Sequence, residues 1–311
     1  MYMYLPVALT SMNVLVLGGI GFAIGLLSGL FGVGGGFLIT PILMWLGISG
    51  PVAAASGSCQ IIGASASGAY AHWKLGNVDV KMGLLLILGA FSGGFLGVQI
   101  IHILMALGNA DFLIKVTYII MPLTIGSYMV FESLRNMKGD SHLVDEDSCE
   151  IKKPSMVARF LASLPFQTRF ERSNATHSIF TPIMLGILVG ILAAIMGVGG
   201  GFIMVPIMLY FLKMPMHVVV GTSLFEILFT VIEVTFLQAY TNHVVDFILA
   251  LIMLVGSTIG AQMGAIMAQR LKAEQLKILL GLLILAVGIK VLLGLLLHPS
   301  LLLSYKGIFK G

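Results

Sequence analysis

Apolar residues fill long blocks of this chain, and short polar or glycine-rich stretches separate the blocks. A membrane-spanning helix needs about 20 predominantly apolar residues. The pattern predicts full spans over residues 13–30, 52–73, 80–105, 112–134, 181–195, 216–240, 247–269 and 275–297. Two further apolar pieces, residues 37–48 and 202–212, would be at most about 18 Å long as helices, too short to cross a hydrocarbon core of about 30 Å. The pattern is typical of an all-α polytopic membrane protein.

A glycine-rich motif precedes each short apolar piece. The sequence FGVGGGFLITP at residues 31–41 returns as MGVGGGFIMVP at residues 196–206, with the same glycine, phenylalanine and proline spacing. Glycine costs roughly 1 kcal/mol relative to alanine in a helix interior, so three in a row should break the helix. In hydrocarbon, a break is tolerated where it is buried in protein or lines a cavity. Matching breaks in two halves of a chain are typical of a transporter's substrate site.

The similarity between the two halves extends beyond this motif. Asp79 corresponds to Asp246 at an offset of 167 residues, and three glycines spaced four apart follow at that offset: Gly89, Gly93 and Gly97 with Gly256, Gly260 and Gly264. Glycines at this spacing allow close approach of helices. We therefore predict two tandem repeats, each with about four full transmembrane helices plus a short half-helix after a Gly-rich break. The domains would be residues 1–135, a charged cytoplasmic linker over 136–177, and residues 178–311.

The positions of lysine and arginine favour an inverted relation between the repeats. If the linker is cytoplasmic, Lys74 is cytoplasmic too, whereas in the second repeat positive charge moves on to the loop around Arg270. Inversion requires an odd number of crossings per repeat, which holds if each broken helix and its short partner are separate part-crossings. Re-entrant short pieces would instead give four crossings per repeat and parallel repeats. Three lysines are expected on the wrong side for inversion: Lys213, Lys306 and Lys310.

Composition supports a membrane location. The chain is 58% hydrophobic and 10% charged, with a mean hydropathy of +1.05, whereas soluble domains are about 25% charged. The net charge of +4 indicates membrane topology rather than nucleic-acid binding, because no basic motif with interleaved aromatic residues is present. Within the linker, residues 156–170 suggest an amphipathic surface helix, although a partly ordered loop is the favoured alternative.

The amides that follow each break are candidates for anion binding. Residues 33–37 and 198–202 would present N–H groups at the start of a short helix, where the macrodipole adds about half a positive charge. Successive glycines also permit an anion-binding nest of N–H groups. We expect the two N-termini to converge on one small oxyanion. The alternative is close glycine packing between helices, without a ligand.

Polar side chains near the motifs are the other candidates. Ser56-Gly57-Ser58 aligns at an offset of 165 with Gly221-Thr222-Ser223, and these hydroxyls could donate to an anion or satisfy carbonyls freed at the breaks. An intramembrane carboxylate is costly to bury and is a candidate proton carrier. The predicted substrate-binding residues are Gly34, Gly35, Gly36, Phe37, Ser56, Ser58, Gln60, Gly199, Gly200, Gly201, Phe202, Thr222 and Ser223. The predicted coupling residues are Glu226 and Glu233.

Motifs of enzymes are absent from the sequence. There is no Ser/His/Asp arrangement, no H-E-x-x-H and no Walker lysine. We therefore expect no catalytic residues, no cofactor and no metal site. Without an ATP-binding motif, the chain should be a secondary carrier or a channel.

The doubled G-x-G-G-G-F-x-x-x-P motif resembles the sulfite exporter TauE/SafE family of membrane permeases. The segments Gly221-Thr222-Ser223-Leu224 and Gly76-Asn77-Val78-Asp79 and the G-x-x-x-G faces are similar as well. The resemblance covers nearly the whole chain except residues 135–177. The first repeat departs from it, with Gly57-Ser58-Cys59 where the family usually has Thr-Ser-Leu.

The resemblance implies a multi-pass carrier in the bacterial inner membrane, with sulfite, sulfoacetate or other organosulfonates as substrates. Proton or ion coupling is expected. The partners would be a small anion and the lipid bilayer, with no nucleic acid, and a homodimer is compatible with the sequence. The alternatives are a permease for another small anion, a cation or a neutral solute, and a scaffold or sensor that acts through residues 136–177.

Overall fold

The computed structural model describes residues 2–139, 167–170, 175–271 and 273–297, which are mostly helical. The first half contains β1 (Tyr2–Leu5), β2 (Thr10–Asn13), α1 (Val14–Phe31), α2 (Gly36–Trp45), α3 (Gly50–Lys74), α4 (Val80–Ala106) and α5 (Ala110–Gly139). The second half contains β3 (Gln167–Phe170), β4 (Ala175–Ser178), α6 (Phe180–Met196), α7 (Gly201–Pro206), α8 (Met216–Leu237), α9 (Phe247–Ala268) and α10 (Ala273–Leu297). Short π-helices extend α7 over Ile207–Phe211 and α8 over Gln238–Asn242.

Six of these helices are long and apolar enough to cross a bilayer: α1, α4, α5, α8, α9 and α10. Helix α3 has 25 residues, but it is rich in alanine, serine and glycine and packs mainly against α8 and α9. Helices α2 and α7 are the two short pieces, and α6, with 17 residues, is also shorter than these six. Two of the eight predicted full spans, residues 52–73 and 181–195, are therefore not among the six, because one is too polar and the other too short. The fold is therefore the all-α polytopic membrane fold that the hydrophobic pattern predicts.

Helices α4 and α9 begin with the same turn chemistry. Asp79 Oδ1 accepts a hydrogen bond from Met82 N at 3.1 Å, and Asp246 Oδ1 accepts one from Leu249 N at 3.1 Å. An N-cap carboxylate satisfies an amide that has no partner within the helix. The corresponding aspartates of the two halves thus start corresponding helices.

Glycine faces join the first half to the second. Helix α1 packs along α9, and α6 packs along α4. A Cβ atom at Gly25 would lie 2.2 Å from Ser257 O, and one at Gly93 would lie 2.1 Å from Ile187 O. Lipid supplies little hydrophobic force between helices, so close packing of this kind carries much of their association.

The contacts along these faces give the relative directions of the helices. Gly21 faces Met253, and Gly29 faces Ala261 eight residues further along both helices, so α1 and α9 run parallel. By the same criterion α3 runs parallel to α9. Helix α4 likewise runs parallel to α6 and to α8.

The direction reverses between α3 and α8. Gly68 faces Leu224, whereas His72, four residues later, lies beside Gly221, three residues earlier. Helices α1, α3 and α9 therefore run one way, and α4, α6 and α8 run the other way. Helices α5 and α10 also run in opposite directions to each other.

The chain turns back after each glycine motif. A Cβ atom at Gly35 would lie 2.5 Å from Ile24 Cγ2 of α1, and one at Gly200 would lie 2.3 Å from Val189 Cγ1 of α6. Both contacts are seven residues before the end of the preceding helix. Helices α2 and α7 thus begin inside the protein and do not extend α1 and α6.

Helix α2 returns the chain to the end of the molecule where α1 begins. Asp246 N donates to Ser56 Oγ, near the start of α3, at 2.9 Å. The same aspartate accepts hydrogen bonds at Oδ2 from Val7 N and Ala8 N, just ahead of α1, at 3.0 and 3.1 Å. The starts of α1, α3 and α9 therefore lie together. Helix α2 carries the chain from the break in the interior back to this end.

Lys213 lies at the same end of the molecule as Lys74. The expectation that Lys213 would lie on the wrong side for an inverted pair is therefore wrong. A Cβ atom at Gly221, near the start of α8, would lie 2.3 Å from Asn77 O in the turn after Lys74. Lys213 is three residues ahead of α8 and shares this end, because α7 carries the chain there. Lys306 and Lys310 lie outside the described residues.

Two β-hairpins are further differences from the sequence-based expectation. Strands β1 and β2 pair ahead of α1, with Tyr2 opposite Asn13, where the hydrophobic pattern predicts no element. Strand β3 pairs with β4, so a helix over residues 156–170 is wrong for its last four residues, where strand pairing satisfies the backbone. Residues 156–166 lie outside the described residues. Helix α5 also continues to Gly139, four residues beyond the expected boundary at 135.

Candidate substrate site at the two helix breaks

The two breaks have nearly the same backbone conformation. Gly34 and Gly35 have φ angles of 75° and 76°, and Gly199 and Gly200 have φ angles of 71° and 79°. Residues with a Cβ atom rarely adopt these values. The neighbouring side chains also leave no space for a Cβ atom at Gly35 or Gly200. Both conformation and packing therefore require glycine in the predicted site.

The amides that follow each break precede the hydrogen-bond ladder of the short helix. Helix α1 ends with Gly32 N donating to Ser28 O at 2.8 Å, and the ladder of α2 resumes with Leu38 N and Ile39 N donating to Gly35 O. The second motif repeats this arrangement from Gly197 to Met204. The first amides of a helix have no partner within it. Residues 33–37 and 198–202 are therefore the part of each motif that could donate to a ligand.

The two motifs contact each other in the interior. A Cβ atom at Gly36 would lie 2.5 Å from Val198 Cα, and one at Gly201 would lie 2.4 Å from Val33 O. The rings of Phe37 and Phe202 lie 6.1 Å apart, centroid to centroid. The N-terminal ends of α2 and α7 thus meet, as the sequence predicts.

Apolar side chains cover the glycines of both breaks. Gly34 packs against the side chains of Ile61 and Ile227, and Gly199 packs against Ile227 and Val231. These three side chains are fully buried. In this conformation the glycines of both breaks therefore lie in a closed, apolar interior.

The predicted hydroxyl donors satisfy backbone groups. Ser223 Oγ donates to Gly32 O at 2.6 Å, and Ser58 Oγ donates to Ala54 O at 3.1 Å. Ser56 Oγ accepts from Asp246 N, and Thr222 Oγ1 accepts from Asp79 N, both at 2.9 Å. Of these four hydroxyls, Ser223 satisfies a carbonyl freed at a break, which is one of the two roles that the sequence leaves open. Ser58 bonds a carbonyl within its own helix, and Ser56 and Thr222 accept from backbone amides, so these three make bonds that the sequence analysis does not predict.

These hydrogen bonds show that α3 and α8 correspond with an alignment that differs by one residue from the one that the sequence suggests. Ser56 and Thr222 make equivalent bonds to the aspartates of the opposite half, so the offset is 166 and not 165. One additional residue ahead of α8 accounts for the difference. At the offset of 166, Gln60 corresponds to Glu226, and Ile61 corresponds to Ile227.

Gln60 and Glu226 are buried polar side chains with unsatisfied atoms. Both side chains are 0% exposed. Gln60 Oε1 and Nε2 and Glu226 Oε2 have no hydrogen-bond partner among the described residues. Glu226 Oε1 accepts from Thr230 Oγ1 at 2.8 Å. Unsatisfied buried polar groups are costly, so these atoms are candidates for contact with a substrate, water or a proton.

Glu233 lies further along α8, away from the breaks. Its Oε2 atom would lie 2.9 Å from a Cβ atom at Gly94 of α4, and it has no hydrogen-bond partner within the described part of the chain. The side chain is only partly buried. The two predicted coupling carboxylates therefore lie at different distances from the breaks. Glu226 is the nearer one, because the next residue, Ile227, contacts both motifs.

Sequence reasoning missed two hydroxyls at the breaks. Tyr118 OH of α5 donates to Met196 O at 2.8 Å, and Thr40 Oγ1 lies 3.4 Å from the same carbonyl. Met196 is the last residue of α6, where the helix leaves its carbonyls without partners. The signal in the sequence was a tyrosine within an apolar span, because a buried tyrosine hydroxyl usually finds a hydrogen-bond partner.

The described residues contain no cluster of three or more His, Cys, Asp or Glu side chains that could hold a metal ion.

Comparison with known proteins places this architecture among membrane transporters. The chain is 24% identical over 310 residues to "Probable membrane transporter protein YunE" of Bacillus subtilis, covering 96% of this chain and 100% of that protein. A "Probable membrane transporter protein" of Xylella fastidiosa is 27% identical over 87% of this chain and 90% of its own length. "Sulfite exporter TauE/SafE family protein 1" of Arabidopsis thaliana is 32% identical over 32% of this chain and 22% of its own length.

No solved structure matches the chain. The family described as "Sulfite exporter TauE/SafE" matches residues 17–291, which include both glycine motifs and the helices that surround them. This span covers most of the chain, and the relatives that match nearly end to end are named as transporters. The protein is therefore a multi-pass membrane transporter that belongs to the sulfite exporter TauE/SafE family.

Proposed function

We propose that this protein is a secondary transporter of small sulfur-containing oxyanions, such as sulfite, sulfoacetate or other organosulfonates, across the bacterial inner membrane. The observation that carries the proposal is the contact between the N-terminal ends of α2 and α7 inside the protein. Each end contributes positive partial charge, and neither motif contains an acidic side chain. An anion is the ligand that such a pair of ends favours.

The bound anion would accept hydrogen bonds from the amides of residues 33–37 and 198–202. Gln60, whose Nε2 lacks a partner within the described residues, would add a side-chain donor. Ile61 and Ile227 now cover the breaks, so they would have to move apart to admit a substrate. The described conformation would then be a closed state of the transport cycle.

We infer that the two halves form an inverted pair. Helices α1, α3 and α4 run opposite to their counterparts α6, α8 and α9, which supports alternating access of one site from the two sides of the membrane. Lysine and arginine residues lie at the end of the molecule where α5 finishes and α6 begins, among them Lys74, Lys81, Lys213, Arg270 and Lys277. By the positive-inside rule this end is cytoplasmic.

Glu226 is the proposed coupling residue. A carboxylate that is fully buried in a membrane protein is costly when ionised, and an anion bound nearby would add like-charge repulsion. Proton binding by Glu226 would remove both costs, so the anion and a proton would cross together. Gln60 occupies the corresponding position of the other half without a titratable group.

Counterflow into proteoliposomes tests the function directly. Vesicles preloaded with unlabelled sulfite, sulfoacetate or taurine should accumulate the labelled form of the true substrate. Glycine variants would be poor probes, because a Cβ atom does not fit at the breaks. Gln60→Leu should instead raise the half-saturation concentration. Ser92→Ala, which removes a hydroxyl bonded to its own helix, should leave it unchanged. Equal half-saturation concentrations for both variants would show that Gln60 is not part of the site. Absence of counterflow with all three sulfur compounds would overturn the substrate class.

Two alternative functions are separated by further measurements. Labelled cations and neutral solutes in the same assay distinguish a permease of another specificity. Deletion of residues 138–150 distinguishes a scaffold or sensor, because a carrier should keep transport whereas a scaffold should lose its partner. Most of this linker lies outside the described residues, and the proposal assigns it no role in transport.

A further inference from the structure

We propose that the groove between α2, α5 and α10 binds an anionic phospholipid. A cavity of about 650 Å³ lies there, and its wall includes Trp45, Ile48, Asp111, Lys115 and Val291. A second cavity of about 220 Å³ also has Trp45 in its wall and is lined by apolar side chains and Lys290. Trp45 and other residues of α2 thus line both pockets.

The charged groups of this groove sum to a positive charge. Lys115 pairs with Asp111, and the other carboxylate oxygen of Asp111 accepts from Gly50 N at 2.9 Å. Lys290 Nζ lies 4.1 Å from the centroid of the Trp45 ring, and it makes no ion pair within the described part of the chain. Two lysines and one aspartate therefore line the two pockets, which leaves one positive charge for an anion.

The position of Lys290 points to a lipid as the source of that anion. The residue is exposed on α10, seven residues before the end of that helix, or about 10 Å along the axis. An ammonium group at this depth is costly unless it reaches the interface. Its stem can extend toward the phosphate layer. Trp45, 45% exposed at the end of α2, is typical of the aromatic residues found at that layer.

The size and lining of the groove distinguish its ligand from the proposed transport substrate. A small oxyanion would not fill about 650 Å³, and most of the lining is apolar. Neighbouring apolar side chains of α5 and α10 point outward, including Phe112, Ile120, Ile289 and Leu293. A lipid would place its phosphate near the two lysines and an acyl chain along this apolar surface. The inference does not depend on which substrate is transported.

Lipid retention and thermal unfolding, measured with two different phospholipids, test the proposal. The purified full-length protein is mixed with phosphatidylglycerol or phosphatidylcholine, and native mass spectrometry counts the lipid that stays bound. We expect the wild type to retain phosphatidylglycerol preferentially and to unfold at a higher temperature in its presence. Lys290→Ala should reduce this preference about fivefold, as expected for one lysine near an anionic headgroup.

Two variants control for folding and for general charge. Lys290→Arg keeps the charge and should keep the preference. Lys277→Ala removes a lysine from the other end of α10, where it pairs with Glu274, and should also keep it. The proposal is overturned if Lys277→Ala and Lys290→Ala lose phosphatidylglycerol equally, or if the wild type retains both lipids equally. A lipid-free dimer that covers the groove would overturn it as well.

Discussion

Gln60 and Glu226 occupy corresponding positions in α3 and α8 but differ in charge. Both are fully buried and carry atoms without a partner among the described residues, and each is followed by an isoleucine that packs against the breaks. A glutamine can hold a ligand but cannot carry a proton, whereas a glutamate can do both. Under the proposed function, this asymmetry would place binding and coupling in different halves of the site.

Glu226→Gln should therefore uncouple transport from the proton gradient. The neutral amide imitates the protonated carboxyl group, so counterflow should persist near the wild-type rate while gradient-driven accumulation is lost. Glu233→Gln is the matched control on the same helix, and it should retain accumulation because its side chain lies beside Gly94, away from the breaks. Accumulation that survives in Glu226→Gln would exclude this residue as the proton carrier.

At the scale of elements, contacts of helix α1 with α9 and of α6 with α4 hold the two halves together. Their glycines bring the backbones into contact, because hydrocarbon gives helices little reason to associate except close packing. The short helices α2 and α7 depend on these pairs for their placement, since their glycines pack on α1 and α6. Loosening a glycine face should therefore destabilise the fold and move the breaks.

Two glycines of α1 make this testable. A Cβ atom at Gly29 would lie 2.0 Å from Ala261 O, whereas nothing lies within 4 Å of a Cβ atom at Gly18. Gly29→Ala should lower the free energy of unfolding by about 1–3 kcal/mol, the usual cost of overpacking. Gly18→Ala should be neutral or stabilising by up to about 1 kcal/mol. The midpoint of thermal unfolding in detergent measures both, and equal midpoints would contradict the importance of the α1–α9 face.

At the scale of the whole molecule, opposite directions of corresponding helices support an inverted pair with one shared interior site. The fold-back at each motif explains how inversion is compatible with the helix count. Helix α2 and the preceding turn together return the chain to the end where α1 starts. We infer that each broken helix and its short partner are two separate part-crossings, which is the alternative that an inverted pair requires.

Single cysteines can test this topology. Cysteines at Leu75, Lys213 and Arg270 should react with a membrane-impermeant maleimide from the cytoplasmic side only. Cysteines at Leu46 and Leu107, in turns at the opposite end, should react only from outside. Cys59 is buried, and it and Cys149 would be replaced by serine in the background. Labelling of positions 75 and 213 from opposite sides would contradict the inverted arrangement.

Much of the fold and part of the candidate site were predictable from the sequence. Helix boundaries agree to within a few residues, because runs of apolar residues and turn residues such as Asp79 and Asp246 carry local information. The doubled motif predicted the breaks, since glycine is required for backbone angles that other residues avoid. The roles of Ser56 and Thr222 were not predictable, because their partners lie in the opposite half of the chain.

The sequence by itself determined the membrane class, the two halves and the positions of the helix breaks, because these depend on local hydrophobicity and backbone preference. Only the tertiary structure decided that isoleucines cover the two breaks and that Gln60 corresponds to Glu226. The tertiary structure also decided at which end of the molecule Lys213 lies and which carbonyl accepts the hydrogen bond from Tyr118. These features depend on which distant surfaces pack together, and a one-residue shift between α3 and α8 changes the correspondence without leaving a local trace.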